Sequence, residues 1–300
     1  MRTTLFSRSA CGKQAALLIC FWLAVPARAQ QVAPLSENLN EDAPPSTARN
    51  PLRMPVLPAR DDDLAELSAS VGASHWSGDF GADSDTSITS ALLNVRLRRG
   101  DLRISVTLPW MDIRTRGMAF AGINGTPLVV APSISSRRVH RDGLGDVTAG
   151  VSWLAVKEDV SGVDIDLSAR IKAPTASDSS GLSTGQSDAY FGAEVTKPLG
   201  RITPGLRIGY RTFGDPVGWN IRDGFSGSAE IFFNPWPKTF ASLSYDYAQK
   251  TNRSIADAQE IVLGASQTLT RTLRLNGFVS AGLSSGASDF AGGVSLSFAL

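Results

Sequence analysis

The sequence predicts an all-β chain: a transmembrane antiparallel β-barrel of about twelve strands, of the outer-membrane type. Three observations predict it. Apolar and polar residues alternate with period two over most of residues 64–300, the alternating segments run about ten to thirteen residues, and the gaps between them are alternately long and short. A strand puts successive side chains on opposite faces, whereas a helix would scatter this pattern around its circumference. Strands of globular proteins average ~5–6 residues, while a tilted strand crossing a bilayer needs ~9–11.

Bulk composition alone suggests a soluble protein. The 300 residues are 42% hydrophobic, with 29 basic against 28 acidic side chains, a formal charge of +1 and a mean hydropathy of −0.02. Such a balance gives no electrostatic footprint for nucleic acid, and the composition is not that of a disordered chain. A barrel with one face in lipid and one in water would give the same averages, so the distribution of apolar residues decides the class.

Residues 1–29 read as a secretory signal. Arg2, Arg8 and Lys13 precede an apolar stretch from Ala15 to Val25, and Ala27-Arg28-Ala29 supplies a small-x-small cleavage site. The apolar stretch is too short for the ~20 residues of a spanning helix. Without Arg2, Arg8, Lys13 and Arg28 the remainder carries 25 basic and 28 acidic groups, a charge of −3, and has lost both cysteines, Cys11 and Cys20. An exported chain without disulfides needs a core or a closed hydrogen-bonded sheet. Residues 30–63 contain Pro34, Pro44, Pro45, Pro51, Pro55 and Pro58 with little periodicity, and read as an extended periplasmic arm. The barrel is assigned to 64–300.

Alternation is strictest in Val163–Lys172, where every odd residue is apolar and every even one polar or charged. It recurs over 202–212, over 102–110 and over 273–283, and more loosely near 64–75, 86–98, 145–156, 188–197, 224–234, 239–249, 257–269 and 289–300. Loops at 76–85, 113–144, 174–187, 214–223 and 250–256 alternate with short turns at 99–100, 157–162, 198–200, 234–238 and 270–271, and the hairpin at 284–288 is short on the long side. Segregated loop lengths are the pattern of an outer-membrane barrel with both termini in the periplasm.

Lipid offers no hydrogen-bond partners, so the sheet must close and turn its apolar face outward. The opposite face carries Arg103, Asp164, Asp166, Arg170, Lys172, Arg207, Arg211, Glu230, Asp246 and Arg274. These charges are expected in a hydrated lumen, because a dry core could hold them only at a large desolvation cost. Trp76, Trp110, Trp153, Phe213 and Trp236 fall near strand ends and fit interfacial girdles. The last strand, Val294–Leu300, resembles the segment by which barrels are recognised by the assembly machinery, although it ends on Leu300 rather than an aromatic residue.

With odd-numbered strands rising from the periplasm, Asp164 and Asp166 lie low while Arg170, Lys172 and Arg211 lie near the outer mouth, which favours anionic or polar small-molecule solutes. The same charges can instead pair across the lumen and close it, and the arm at 30–63 can fill a barrel this narrow. A purely structural or adhesive barrel acting through the 113–144 loop is a further reading.

A family resemblance rests on Gly143-Leu144-Gly145-Asp146 opening one strand, Lys172-Ala173-Pro174-Thr175 closing the next, then Gly181-Leu182-Ser183-Thr184-Gly185 and Asp188. These motifs resemble the outer-membrane barrel family labelled "meta-pathway of phenol degradation". The likeness is sharpest over 143–200. That family's pattern continues Pro-Thr-Gly-Asp where this chain reads Pro174-Thr175-Ala176-Ser177. The resemblance implies uptake of small compounds, aromatic ones included, across the outer membrane of a Gram-negative bacterium. On turn chemistry alone, Gly145, Gly185 and Pro174 serve strand and loop junctions.

One catalytic alternative remains. His75 and Ser77 are two residues apart and so share the outward face of the first strand, the placement of a lipid-ester hydrolase similar to outer-membrane phospholipases. That pair has no evident orienting partner in sequence. His140, among Arg138, Arg141 and Asp142, reads as solvated. Two distant histidines and no cysteine after residue 29 give no metal site, and no cofactor motif is present.

Overall fold

Period-two alternation resolves into twelve wall strands in a computed structural model that describes residues 65–81, 85–116, 118–131, 138–216 and 221–300. The signal segment 1–29 and the arm 30–63 lie outside the described residues. In chain order the strands are β1 (Glu66–Gly78), β2 (Thr86–Arg99), β3 (Leu102–Thr115), β4 (Met118–Ala121), β5 (Pro127–Ala131), β6 (Val139–Leu144), β7 (Val147–Val156), β8 (Asp164–Ala173), β9 (Asp188–Thr196), β10 (Ile202–Thr212), β11 (Gly224–Phe233), β12 (Thr239–Ala248), β13 (Ala258–Thr268), β14 (Leu273–Gly282) and β15 (Phe290–Ala299). Each wall strand pairs antiparallel with its sequence neighbour, and β1 closes the ring on β15 from Ser68 opposite Ala299 to Ser77 opposite Phe290. Closure leaves no free edge, as a lipid-embedded sheet requires.

The exterior is apolar. Val71, Val95, Ile104, Leu167, Leu206, Ile208, Leu243, Leu263, Val279 and Val294 all project outward and are exposed. A continuous apolar surface of this extent belongs in acyl chains rather than water. Trp110, Trp153 and Trp236 join it. Trp76 does not: it faces inward and is buried, because the outward set of β1 runs Leu67, Ala69, Val71, Ala73, His75. Phe213 is likewise withdrawn from the girdle, packing against Phe120, Leu128 and Ile221 beneath the Arg211 guanidinium.

The 113–144 segment differs most from the expected plain loop. β3 runs on to Thr115 and pairs with β6 from Trp110–Leu144 to Thr115–Val139, so the wall rises above its neighbours here. β6 and β7 are one strand interrupted at Gly145-Asp146, where three residues oppose Leu108-Pro109. Pro109 has no N–H for the ladder, and its carbonyl instead accepts from Gly145 N at 2.9 Å. This bulge turns two successive side-chain positions, Gly145 and Asp146, to the interior. Between β3 and β6, β4 and β5 form a separate two-stranded hairpin around a short 3-10 turn, Ile123–Gly125. The expected 157–162 turn contains one helical turn, Glu158–Ser161, stopped by Gly162 at φ 76°.

The interior has two zones. Inside the half of the barrel next to the long loops lies an apolar cluster that includes Trp76, Phe80, Ile88, Met111, Ile113, Val262 and Phe278 together with Ala119, Ala121 and Val129 of the hairpin and Leu182 of the 174–187 loop. The lumen expected from the charged residues is thus only part of the interior, and side chains fill the rest. Inward Trp76 of β1, Ile88 of β2, Met111 and Ile113 of β3 and Phe278 at the middle of β14 are large and apolar, and the hairpin supplies partners that let them exclude water. Below, the inner wall is polar and charged.

Candidate functional site

The lumen site is built on the inward positions of β8 to β13. Asp166, Glu194, Arg207, Ser228, Asp246 and Glu260 succeed one another as directly paired residues from β8 to β13 and form one polar row of the wall. Arg207 holds the row together: Nε and Nη2 donate to Glu194 Oε2 at 3.1 and 3.0 Å, and Nη2 also donates to Glu230 Oε1 at 3.0 Å. Arg103 on β3 reaches across β7 to pair with Asp166 and donates to Ser152 Oγ at 3.1 Å. Asp246 is fully buried and accepts from Ser244 Oγ at 3.0 Å. Asp164 caps the 158–161 turn by accepting from Glu158 N at 2.8 Å. Arg274 lies low on β14 and is buried.

Arg170 and Tyr190 are paired on the wall, with the guanidinium 5.0 Å from the ring centroid. Two glycines make that ring position possible. A Cβ on Gly192 or Gly209 would overlap the Tyr190 ring. Arg211 donates to Gln249 O at 2.8 Å and lies over Phe213.

Lys172 has no solvent access. Its Nζ forms ion pairs with Asp188 Oδ2 at 2.8 Å and Asp146 Oδ2 at 3.0 Å, and donates to the hairpin carbonyl Ala121 O at 3.4 Å. Asp146 also accepts from Thr175 N and Ala176 N, both at 3.0 Å, and from Ser183 Oγ at 2.6 Å, while Asp188 accepts from Gly214 N at 3.2 Å. The motif residues Gly143, Gly145, Asp146, Pro174, Thr175, Gly181, Gly185 and Asp188 thus converge on one place, the joint between the wall, the 174–187 loop and the hairpin. Gly143, Gly181 and Gly185 have φ of 140°, 62° and 71°, where other residues are strained. Two carboxylates surround one ammonium here. Lys172 is therefore no free cation at the mouth, which removes one of the three cations, with Arg170 and Arg211, from which the sequence predicts a preference for anionic solutes.

The hairpin is held by point contacts. Ala121 N donates to Leu182 O at 2.7 Å, Asn124 N to Thr148 Oγ1 at 2.8 Å, Thr251 Oγ1 to Val129 O at 2.7 Å, and Arg141 Nη1 to Gly181 O at 3.1 Å and Ala119 O at 3.4 Å. Sequence reasoning passed over the hairpin, and it named Asp146 as a motif residue without its pairing to Lys172. A usable signal existed: Lys172 and Asp188 are charged residues at facing outer ends of consecutive strands.

His75 and Ser77 are both on the outer face. His75 Nδ1 bonds Thr89 Oγ1 at 2.9 Å on the neighbouring strand, and among the described residues His75 makes no hydrogen bond to Ser77. The pair is therefore not assembled as nucleophile and base. His140 is not simply solvated, since its Nε2 lies 2.7 Å from Asp112 Oδ2 across β3 and β6. No group of three or more metal-ligating side chains occurs among the described residues.

No family model matches the chain, and no curated protein does. Among solved structures, an outer-membrane channel of Pseudomonas putida F1 superposes with a TM-score of 0.59 at 12% identity, over 80% of this chain and 98% of that one. The KdgM porin gives a TM-score of 0.48 at 9% identity, over 77% of this chain and 99% of its own. The first likeness establishes the fold, an outer-membrane barrel.

Proposed function

We propose that this chain is an outer-membrane channel for small solutes with a substantial apolar part, aromatic rings among them. The observation that carries the reading is the apolar zone inside the outer half of the barrel, with Trp76, Phe80, Met111 and Phe278 in it, set above a charged wall. A solute entering such a zone gains ~25 cal/mol for each Å² of apolar surface removed from water. The polar row at Arg207 then offers it a wetter environment, so that capture is followed by release; conduction needs binding strong enough to enter and weak enough to leave. The anionic solutes favoured by the sequence are less well served, because Lys172 and Arg207 are matched by carboxylates.

Entry into proteoliposomes with lipopolysaccharide in the outer leaflet tests this. A neutral one- or two-ring arene should enter faster with the protein than without, and a disaccharide should not. Equal acceleration of both, or of neither, would overturn the reading.

A further inference from the structure

Resting on that reading, we propose that Lys172 is the positioning residue that pins the β4–β5 hairpin inside the barrel, and that withdrawal of the hairpin is the opening step of the channel. The hairpin is a sheet of its own, with no ladder to the wall. It can therefore leave as a unit without breaking a barrel hydrogen bond, giving up only side-chain and loop contacts.

Lys172 differs from the other anchors. Its ammonium is ion-paired with two carboxylates, Asp146 and Asp188, and donates a hydrogen bond to a third oxygen, Ala121 O. The first two are fixed by the wall, by the 174–187 loop through Thr175, Ala176 and Ser183, and by Gly214. The third belongs to the hairpin. Withdrawal leaves one donor of a buried charge without its partner, a cost that holds the equilibrium towards closed until water or solute takes the position. The bulge at Gly145-Asp146 aims one carboxylate at Lys172 and sets Gly145 against the hairpin.

The same contact supplies the test. A Cβ on Gly145 would lie 3.1 Å from Ala121 Cβ and 3.1 Å from Pro109 Cγ on the wall, so a disulfide, which spans ~3.5–4.5 Å between Cβ atoms, requires the hairpin and the Pro109 ring each to yield by a few tenths of an ångström. The full chain carrying Ala121→Cys and Gly145→Cys, with Cys11 and Cys20 changed to Ser, is recorded in planar bilayers oxidised and then reduced. Beside it, Asp146→Asn, Lys172→Met and Asp188→Asn are combined, removing the pin without stranding a charge. The oxidised form should be silent, reduction should restore wild-type openings, and the triple variant should raise open-state occupancy about tenfold or more, the effect of losing one hydrogen bond to a charged group.

If the thiols do not join, or if fully cross-linked and reduced protein conduct alike, the hairpin is not the gate although the channel reading survives. If cross-linking silences the barrel but the triple variant opens no more often than wild type, Lys172 is not the pin. If no form conducts, the channel reading itself falls.

Discussion

Lys172 and Asp188 face each other as directly paired residues of β8 and β9, their charged atoms 2.8 Å apart and shielded from solvent. With Asp146 they make a buried triad in which every partner depends on the others. Removing Lys172 alone strands two carboxylates, and breaking a buried pair from one side costs ~3–5 kcal/mol. Lys172→Met should therefore lower unfolding stability in urea by about that amount in lipid vesicles, and adding Asp146→Asn and Asp188→Asn should recover most of it. Equal stability of wild type and Lys172→Met would mean that the triad does not hold the loops.

The lumen row predicts a change of selectivity. Arg207 balances Glu194 and Glu230 at 3.0 Å each. Arg207→Gln leaves both carboxylates facing the path, so the reversal potential under a KCl gradient should move towards cation preference, and further at low salt, where screening is weaker. An unchanged reversal potential would remove this row from the path.

Tyr190 and the glycines beneath it predict a compensated pair. Gly209→Ala puts a methyl into the Tyr190 ring and should destabilise by ~1–3 kcal/mol, as overpacking does. Tyr190→Ala should abolish that penalty in a double-mutant cycle. Additive effects of the two changes would show that the ring lies elsewhere.

The wall should distinguish lipid from lumen at two positions of the same strand. Leu263 projects outward from β13 and its next outward neighbours across the sheet are Leu243 and Val279. Leu263→Arg should cost ~2–4 kcal/mol of stability in vesicles if it lies at the bilayer midplane. Inward Ser266→Thr should cost far less, since it keeps the hydroxyl that bonds Asn276 Oδ1 at 2.8 Å. A reversed order would turn the barrel inside out.

Sequence periodicity located all twelve wall strands because lipid on one face and a polar interior on the other impose alternation throughout, from Leu102–Trp110 to the closing strand. It could not locate the interior closure. Val139–Leu144 stands above its neighbours and alternates weakly, so β6 read as loop. Ala119, Ala121 and Val129 are apolar but lie in a hairpin too short to show a period. Asp146 points inward because one extra residue opposite Pro109 shifts the parity, and a one-residue shift exchanges the faces of a strand. Trp76 was legible: it is out of phase with Leu67, Val71 and Ala73, so its position at the strand end misled where its parity did not.

The central claim is a solute path through the barrel, closed on its outer side by the hairpin. The most direct measurement is single-channel recording of the full chain beside a variant in which residues 118–131 are replaced by a short glycine-serine link. The account predicts rare openings from the full chain and steady conductance from the variant. A variant that folds into the bilayer and stays silent would contradict it.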